Sequence, residues 1–202
     1  VIDGVHIWRA ALDGGSWPPA AALPPEERER AESFLRRDLA QRWVAARWAL
    51  RRVLSQYLGV EPGAVELSSD ENGKPRLAEH RRPKFNLSHS HGLALVAVAE
   101  REVGVDVELI APRQDLRALA ERALPAEDAA AVSAAAPDAR AGVFYAAWTR
   151  HEARVKCLGT GLAGPPGDGP VAVENFDVGP GYAAAVALAW TEVGTLRCRS
   201  LP

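Results

Sequence analysis

A faint internal repeat narrows the fold of this 202-residue chain more than any other feature. Ala46, Trp48, Leu58 and Gly59 recur as Ala146, Trp148, Leu158 and Gly159, an offset of 100. Val96-Ala97-Val98-Ala99 is echoed by Val186-Ala187-Leu188-Ala189 at an offset of 90. The helical match alone carries little weight, because Ala and Leu are common. A helix followed by strands, in the same order in each half, implies a duplicated α+β unit. The boundary falls near residue 100, giving halves 1–100 and 101–202. A cleft between two such halves is a usual place for a ligand.

Local patterns fill in these halves. Val5–Trp8 reads as a short strand, and residues 13–25 as a Gly-, Pro- and Ala-rich loop. Pro24-Pro25-Glu26-Glu27 marks a helix start, since Pro suits the first turn and acids suit the positive end of the dipole. Asp38 with Gln41 predicts a second start of capping-box type. Leu39, Trp43, Ala46, Leu50, Val53, Leu54 and Tyr57 then form a helical apolar stripe that Gly59 stops. Ala64–Ser68 reads as a strand, Asn72-Gly73 as a turn, and Lys84–Ser88 and Leu93–Ala99 as strands joined by a Ser/His/Gly turn. Val103–Leu109 alternates strictly, with Val103, Val105, Val107 and Leu109 on one face and Gly104, Asp106 and Glu108 on the other. Asp115–Leu124, Ala126–Ala136 and Asp138–Leu158 read as helices. Residues 164–170 read as a mobile loop, and Val171–Phe176, Ala183–Trp190 and Leu196–Ser200 as strands.

Composition excludes several classes. Lys and Arg number 24 against 26 Asp and Glu, a net charge of −2, whereas a general nucleic-acid binder carries a basic excess. Charged residues at 25% and apolar ones at 48% describe an ordinary globular chain rather than a disordered or fibrous one. Cys157 and Cys198 allow at most one disulfide and no zinc site built from cysteine alone, which fits a reducing, cytoplasmic setting. No apolar run approaches the roughly 18 residues of a membrane span, and Val1-Ile2-Asp3-Gly4 has no signal-peptide pattern. The chain contains no Met, even at its first position, and so reads as a trimmed or incomplete product.

Four constellations carry chemistry. Strand alternation sets Asp106 and Glu108 on one face, where like charges repel unless a cation or strong donors lie between them. From spacing alone that face reads as the solvated side of a half-buried strand. Glu152 and Lys156 lie four apart on one helix face, the ordinary pattern of a solvated ion pair. Trp148 one turn earlier and Gly159-Thr160-Gly161-Leu162 beyond suggest instead a helix positioned against something. Asn86-Leu87-Ser88-His89-Ser90-His91-Gly92 supplies hydroxyls and imidazoles at a strand end, suited to a phosphate or to local turn bonds. Two His on a turn are weak evidence for zinc. Arg28, Arg30, Arg42, Arg47 and Lys74 form a basic set, although Arg28 and Arg30 do not share one helical face well.

In chain order these constellations do not look independent. Gly73-Lys74-Pro75, Phe85–Ser90, Gly104–Glu108 and Trp148–Leu162 together closely resemble the 4′-phosphopantetheinyl transferase family of the surfactin-synthetase-activating type, from Pro25 to about Trp190. The resemblance implies an α+β intramolecular pseudo-dimer with its active site in the cleft between two similar α/β halves. It implies transfer of 4′-phosphopantetheine from coenzyme A to a serine of an acyl or peptidyl carrier protein, with release of adenosine 3′,5′-bisphosphate. It also implies Mg²⁺, for which Mn²⁺ can substitute, held by Asp106, Glu108 and Glu152. Glu152 doubles as base for the carrier serine, directly or through water, and Lys156 neutralises charge on the pyrophosphate. Ser88 and His89 become coenzyme A contacts, His89 near the 3′-phosphate. Lys74, Pro75, Arg42, Arg30 and Arg28 become further nucleotide contacts. The first half then holds the nucleotide and the second the metal carboxylates and catalytic helix.

One departure stands out: His151 occupies a position where the family usually has Lys. The basic and apolar residues of 111–125, among them Arg113, Arg117, Arg122, Leu116, Leu119 and Leu124, suit either a carrier dock or an ordinary amphipathic surface helix. A cytoplasmic monomer without nucleic-acid or membrane partners is expected. Asp-x-Glu with Glu-x-x-x-Lys would also serve a Mg²⁺-dependent phosphodiesterase or nuclease, and a non-catalytic binder of coenzyme A or carrier is a third alternative.

Overall fold

Alternation with period two makes strands, and apolar stripes stopped by glycine make helices; both patterns are realised in nearly the expected places. A computed structural model describes residues 2–69, 74–78, 82–159 and 170–201. Asn72-Gly73, Thr160–Leu162 and the expected loop up to Gly169 lie outside the described residues. Along the chain come β1 (Val5–Ala11), α1 (Pro25–Glu32), α2 (Arg37–Leu58), β2 (Leu67–Ser69), β3 (Pro75–Leu77), β4 (Lys84–Ser90), β5 (Leu93–Ala99) and β6 (Val103–Leu109). Then follow α3 (Leu116–Ala123), α4 (Ala126–Ala134), α5 (Arg140–Leu158), β7 (Ala172–Asn175), β8 (Tyr182–Leu188) and β9 (Leu196–Ser200).

Two sheets form, ordered β4-β5-β1-β9 and β6-β8-β7, beside a β2–β3 ribbon. β9 runs parallel to β1, so the chain returns to the first sheet at its end; the other pairings are antiparallel. Val5, Ile7, Leu93, Leu95 and Ala97 of the first sheet meet Val103, Val105, Val107, Ala184, Val186 and Leu188 of the second in the central core. The outer face of the first sheet packs Trp8, Val96 and Val98 on Leu50, Val53 and Leu54 of α2. The outer face of the second packs Ala185 and Ala187 on Ala153 and Cys157 of α5. The layers therefore run helix, sheet, sheet, helix, the α+β pseudo-dimer expected of a duplicated unit.

The two parts of the sequence repeat differ in meaning. α2 and α5 both end at left-handed glycines, Gly59 (φ 68°) and Gly159 (φ 72°), as the offset of 100 implies. The strand order β4-β5-β1 is matched by β7-β8-β6. The strand echo at an offset of 90, however, pairs opposite faces: Val96 and Val98 face α2, while Val186 and Leu188 face the central core. A shift of one residue turns every side chain over, so the duplication survives in topology and not in that register.

Local expectations are corrected at two places, and at a third, one of two readings is realised. The capping box at Asp38 does not form; α2 starts two residues earlier, at Arg37 with Arg36 as its N-cap, and the Asp38 carboxylate accepts both arms of Arg36 at 3.1 and 2.6 Å. Residues 62–64 form a 3₁₀ turn, and the strand begins only at Leu67. The leucines of α3 turn inward: Leu116 and Leu124 are buried against Phe144, leaving Arg113, Arg117 and Arg122 exposed.

One glycine sets the depth of the second helix. A Cβ on Gly104 would stand 2.0 Å from the Ala153 carbonyl oxygen and 2.5 Å from the Cys157 nitrogen. Backbone atoms inside a helix cannot move aside singly, so Gly104→Ala must lift α5 from β6. Overpacking of this kind costs about 1–3 kcal/mol or more, to be read as a lowered urea midpoint at unchanged slope. A Gly104→Ala protein with wild-type stability would refute this close contact.

Candidate active site

The site begins with an unmet need of the backbone. Alternate residues of β6 pair with β8, so Val105, Val107 and Leu109 turn their N–H groups outward at an edge. Among the described residues no strand completes that edge. Asn86, Ser88 and Ser90, alternating along β4, supply side-chain oxygens instead: Asn86 Oδ1 accepts from Val105 at 2.8 Å, Ser88 Oγ from Val107 at 3.4 Å and Ser90 Oγ from Leu109 at 3.2 Å. All three are buried. This segment, suited by sequence to a phosphate or to local turn bonds, thus makes long-range bonds between the halves.

Each serine then spends its own proton on a carboxylate. Ser88 Oγ donates to Asp106 Oδ1 at 2.8 Å and Ser90 Oγ to Glu108 Oε2 at 2.8 Å. From α5, Lys156 Nζ donates to Asp106 Oδ1 at 2.5 Å and to Ser88 Oγ at 3.1 Å. One hydroxyl proton and two lone pairs on Ser88 are fully used. Asp106 is 2% exposed, and its Oδ2 has no hydrogen-bond partner. The carboxylate face that spacing alone assigns to solvent is therefore roofed by α5.

Electrostatics couple the cluster. Burial pushes the Glu108 carboxyl above its usual range, and the Asp106 charge adds to this, while the Ser90 hydroxyl and Lys156 oppose it. Burial also raises Glu152, helped by the charges of Asp106 and Glu108 and opposed by Lys156. Among the described residues no three His, Cys, Asp or Glu side chains form a ready metal cage. The arrangement is three mutually repelling carboxylates with one lysine set against the most buried.

The expected nucleotide residues fall in separate places. His89 is exposed and shares a cleft of about 370 Å³ with Phe34, Leu39, Arg42 and Trp43. Crowding by its surroundings and then the Lys156 charge hold its imidazole below the usual value. Arg42 forks onto Asp13 at 2.9 and 3.0 Å. Arg28 and Arg30 lie on α1 and do not line the cleft, although Arg30 sits 5.3 Å from the ring centroid of Phe34, which does. Lys74 Nζ donates to the Lys156 carbonyl at 2.7 Å, tying the last turn of α5 to the first half; Pro75 follows it in a shallow groove with Lys84 and Glu102. Ser88 is engaged with Asp106 and the β6 backbone. His151 is half-buried beside Trp148, with ring centroids 6.4 Å apart. Asn86, Ser90 and Gly104 are absent from the expected site residues, although polar side chains at 86, 88 and 90 carry the period-two signal of one strand face.

Raised carboxyls disfavour the folded state once they ionise. Below the ordinary glutamate value of roughly 4.3, Glu152 is protonated in both folded and unfolded chains and costs nothing. As pH rises through its higher folded value, stability falls. Glu152→Gln should therefore melt above the wild type at pH 7.5, with the difference closing near pH 4. Equal melting temperatures at both pH values would show that Glu152 is not electrostatically loaded.

Comparison with known proteins bears on the same residues. Residues 15–102 match the model of the N-terminal region of 4′-phosphopantetheinyl transferases, and residues 102–192 that of the 4′-phosphopantetheinyl transferase superfamily. The junction of the two matches falls at the start of β6. The 4′-phosphopantetheinyl transferase HetI of Nostoc is 37% identical over 168 residues, covering 80% of this chain and 71% of that protein. AcpT of Escherichia coli K12 is 38% identical over 76% of this chain and 74% of its own length. Sfp of Bacillus subtilis is 26% identical over 83% of this chain and 82% of its own. With both halves matched, and with relatives this similar aligned along most of their length, the chain belongs to the 4′-phosphopantetheinyl transferase superfamily.

Proposed function

We propose that this transferase moves 4′-phosphopantetheine from coenzyme A to a serine of an acyl or peptidyl carrier protein at the seam between its halves. The observation that carries the reading is the buried Asp106 carboxylate, held by Ser88 from one half and Lys156 from the other, with Glu108 and Glu152 beside it. The donor set suits a hard divalent cation: Asp106 Oδ2 is buried without a partner, and all the neighbouring acids are oxygen donors. Asp106, Glu108 and Glu152 would hold Mg²⁺, or Mn²⁺ in its place, which when bound supplies positive charge to the pyrophosphate.

The chain's own groups do the rest. Glu152 accepts no hydrogen bond from the described residues, and its raised pKa makes it a better base than an ordinary glutamate. It takes the proton of the carrier serine, directly or through one water. The serine oxygen bonds to the phosphorus that bears pantetheine, and the pyrophosphate P–O bond breaks to release adenosine 3′,5′-bisphosphate. Lys156 offsets the negative charge that grows on the leaving group. Ser88 and Ser90 act as positioning residues, each fixing one carboxylate. The cleft of Arg42 and His89 takes the nucleotide end, with Arg30, Arg28, Lys74 and Pro75 around it. On this reading residues 1–100 handle the nucleotide and 101–202 the chemistry. One chain supplies both sides of the site and works as a monomer. No described helix is long and apolar enough to cross a membrane, and both cysteines are unpaired, in keeping with a reducing cytoplasm.

The direct test is intact-mass analysis of an apo carrier protein incubated with the enzyme, coenzyme A and Mg²⁺; a carrier of unchanged mass would refute the reading. His89→Ala should chiefly raise the KM for coenzyme A, a loss that vanishes with 3′-dephospho-coenzyme A. Lys156→Ala should lower kcat roughly 10²-fold with either donor, like other removed electrostatic stabilisers. Since His89 titrates below the ordinary imidazole value, the advantage of the 3′-phosphate should already be shrinking as pH rises toward roughly 6.5. Equal kcat losses in both mutants would place His89 at the reacting centre or in the fold. The exposed arginines of α3 remain a charge-based dock for an acidic carrier: Arg117→Glu should raise the carrier KM, most at low salt. An unchanged carrier KM would locate the dock elsewhere.

A further inference from the structure

The inter-sheet core closes with apolar residues along most of its length, and at one end it does not close. Beyond Val5 and Ile7, the next residue of β1 on the same face is Arg9. A half-buried guanidinium at the mouth of an apolar core calls for a counter-charge. None is present: the Arg9 side chain makes no ion pair or hydrogen bond with the described residues, and its Nε is buried without any partner. Among the described residues, Arg51 is matched by Glu27, Lys156 by Asp106 and Lys74 by Glu102 and backbone carbonyls.

Arg9 borders a cavity of about 330 Å³ at this mouth. Ala11, Leu93, Val178, Pro180 and Leu201 give it apolar walls. Tyr182 and Ser200 add hydroxyls, and no carboxylate lines it. The Nη2 of Arg9 lies 3.4 Å from where a Cβ of Gly179 would stand, so the fork is seated deep against the β7–β8 connection. The volume is at the lower end for small-molecule sites. A planar fork of donors matches a carboxylate, and the walls match an alkyl chain.

From this we infer that the mouth between the two sheets is a binding site for a small carboxylate on a short apolar chain, with Arg9 as its anchor. The site is separate from the transfer centre, whose carboxylates lie on the opposite face of β6. Its carboxylate forks onto the Arg9 guanidinium, the hydroxyls of Tyr182 and Ser200 complete the anion's hydrogen bonds, and the alkyl part replaces water against Leu93, Val178 and Leu201.

The test uses the full chain, with sodium hexanoate as probe, hexan-1-ol as its uncharged counterpart and inorganic phosphate as an anion without an apolar part, at constant ionic strength. The Arg9 Nε–H signal in ¹H–¹⁵N spectra, assigned by its loss in Arg9→Met, should shift saturably with hexanoate. It should respond weakly to phosphate and not to hexan-1-ol. Hexanoate should raise the melting temperature of the wild type and leave that of Arg9→Met unchanged. Arg9→Met removes an unpartnered donor and should fold normally with full transferase activity. Ser200→Trp, which narrows the mouth and leaves Arg9 intact, should also abolish the shift and keeps the test open should Arg9→Met fail to fold. No saturable shift, or equal shifts with hexanoate and hexan-1-ol, would overturn the site. A response to phosphate as strong as to hexanoate would overturn its apolar half and reduce it to a bare anion contact.

Discussion

Everything at the candidate active site hangs on the outward N–H groups of β6. They need acceptors, because a buried donor left unmatched costs about 1–3 kcal/mol. A paired strand would satisfy them with carbonyls and leave only a continuous sheet. Side chains from β4 satisfy them instead, and a side chain brings a second function that a carbonyl lacks. The hydroxyls of Ser88 and Ser90 accept from the backbone and donate to Asp106 and Glu108 in the same stroke. The bonds that hold the two halves together are thus the bonds that aim the carboxylates.

This coupling explains why acids can be buried here at all. Asp106 is nearly inaccessible, yet two strong donors meet its Oδ1, one of them charged. Its neighbours are less fully matched, and their raised pKa values record the imbalance. Ser90 offsets part of the load on Glu108, and no described residue hydrogen-bonds Glu152. A cluster with surplus negative charge and one unmatched oxygen is held ready for a positive partner. Stability and readiness oppose each other in it, which is why the sign of the Glu152 substitution on melting depends on pH.

The elements were legible because their patterns are local. The alternation of Val103–Leu109 and the glycine stops at 59 and 159 need no knowledge of the rest of the chain. Asp106, Glu108, Glu152 and Lys156 were legible as a group through motif resemblance, whereas spacing alone assigned the first pair to solvent. What faces a strand is decided by another element, and no periodicity reports that α5 covers β6. Asp38 misled because its carboxylate had two suitors: Arg36 offers a charged fork, and the helix terminus only neutral N–H groups. The strand echo misled in a different way. Alanine and valine fit both faces of a buried strand, so their likeness at an offset of 90 carries no register.

The two halves share an architecture, and the size of their side chains separates their roles. In the first, Trp8, Val96, Val98 and Phe85 stand between sheet and helix, so α2 rides on a thick apolar layer with Leu50, Val53 and Leu54. In the second, Ala185 and Ala187 face Ala153 and Cys157, and Gly104 has no side chain at all. α5 therefore comes down until backbone nearly touches backbone. At that depth a lysine on the helix reaches an aspartate on the strand at 2.5 Å. A bulkier layer would hold Lys156 and Glu152 away from Asp106 and Glu108, to which their charges are coupled. The first half keeps a thick apolar layer between helix and sheet, and the small residues of the second bring α5 close enough for Lys156 to meet Asp106. The two halves repeat one frame, and the small side chains of the second let α5 settle close to β6.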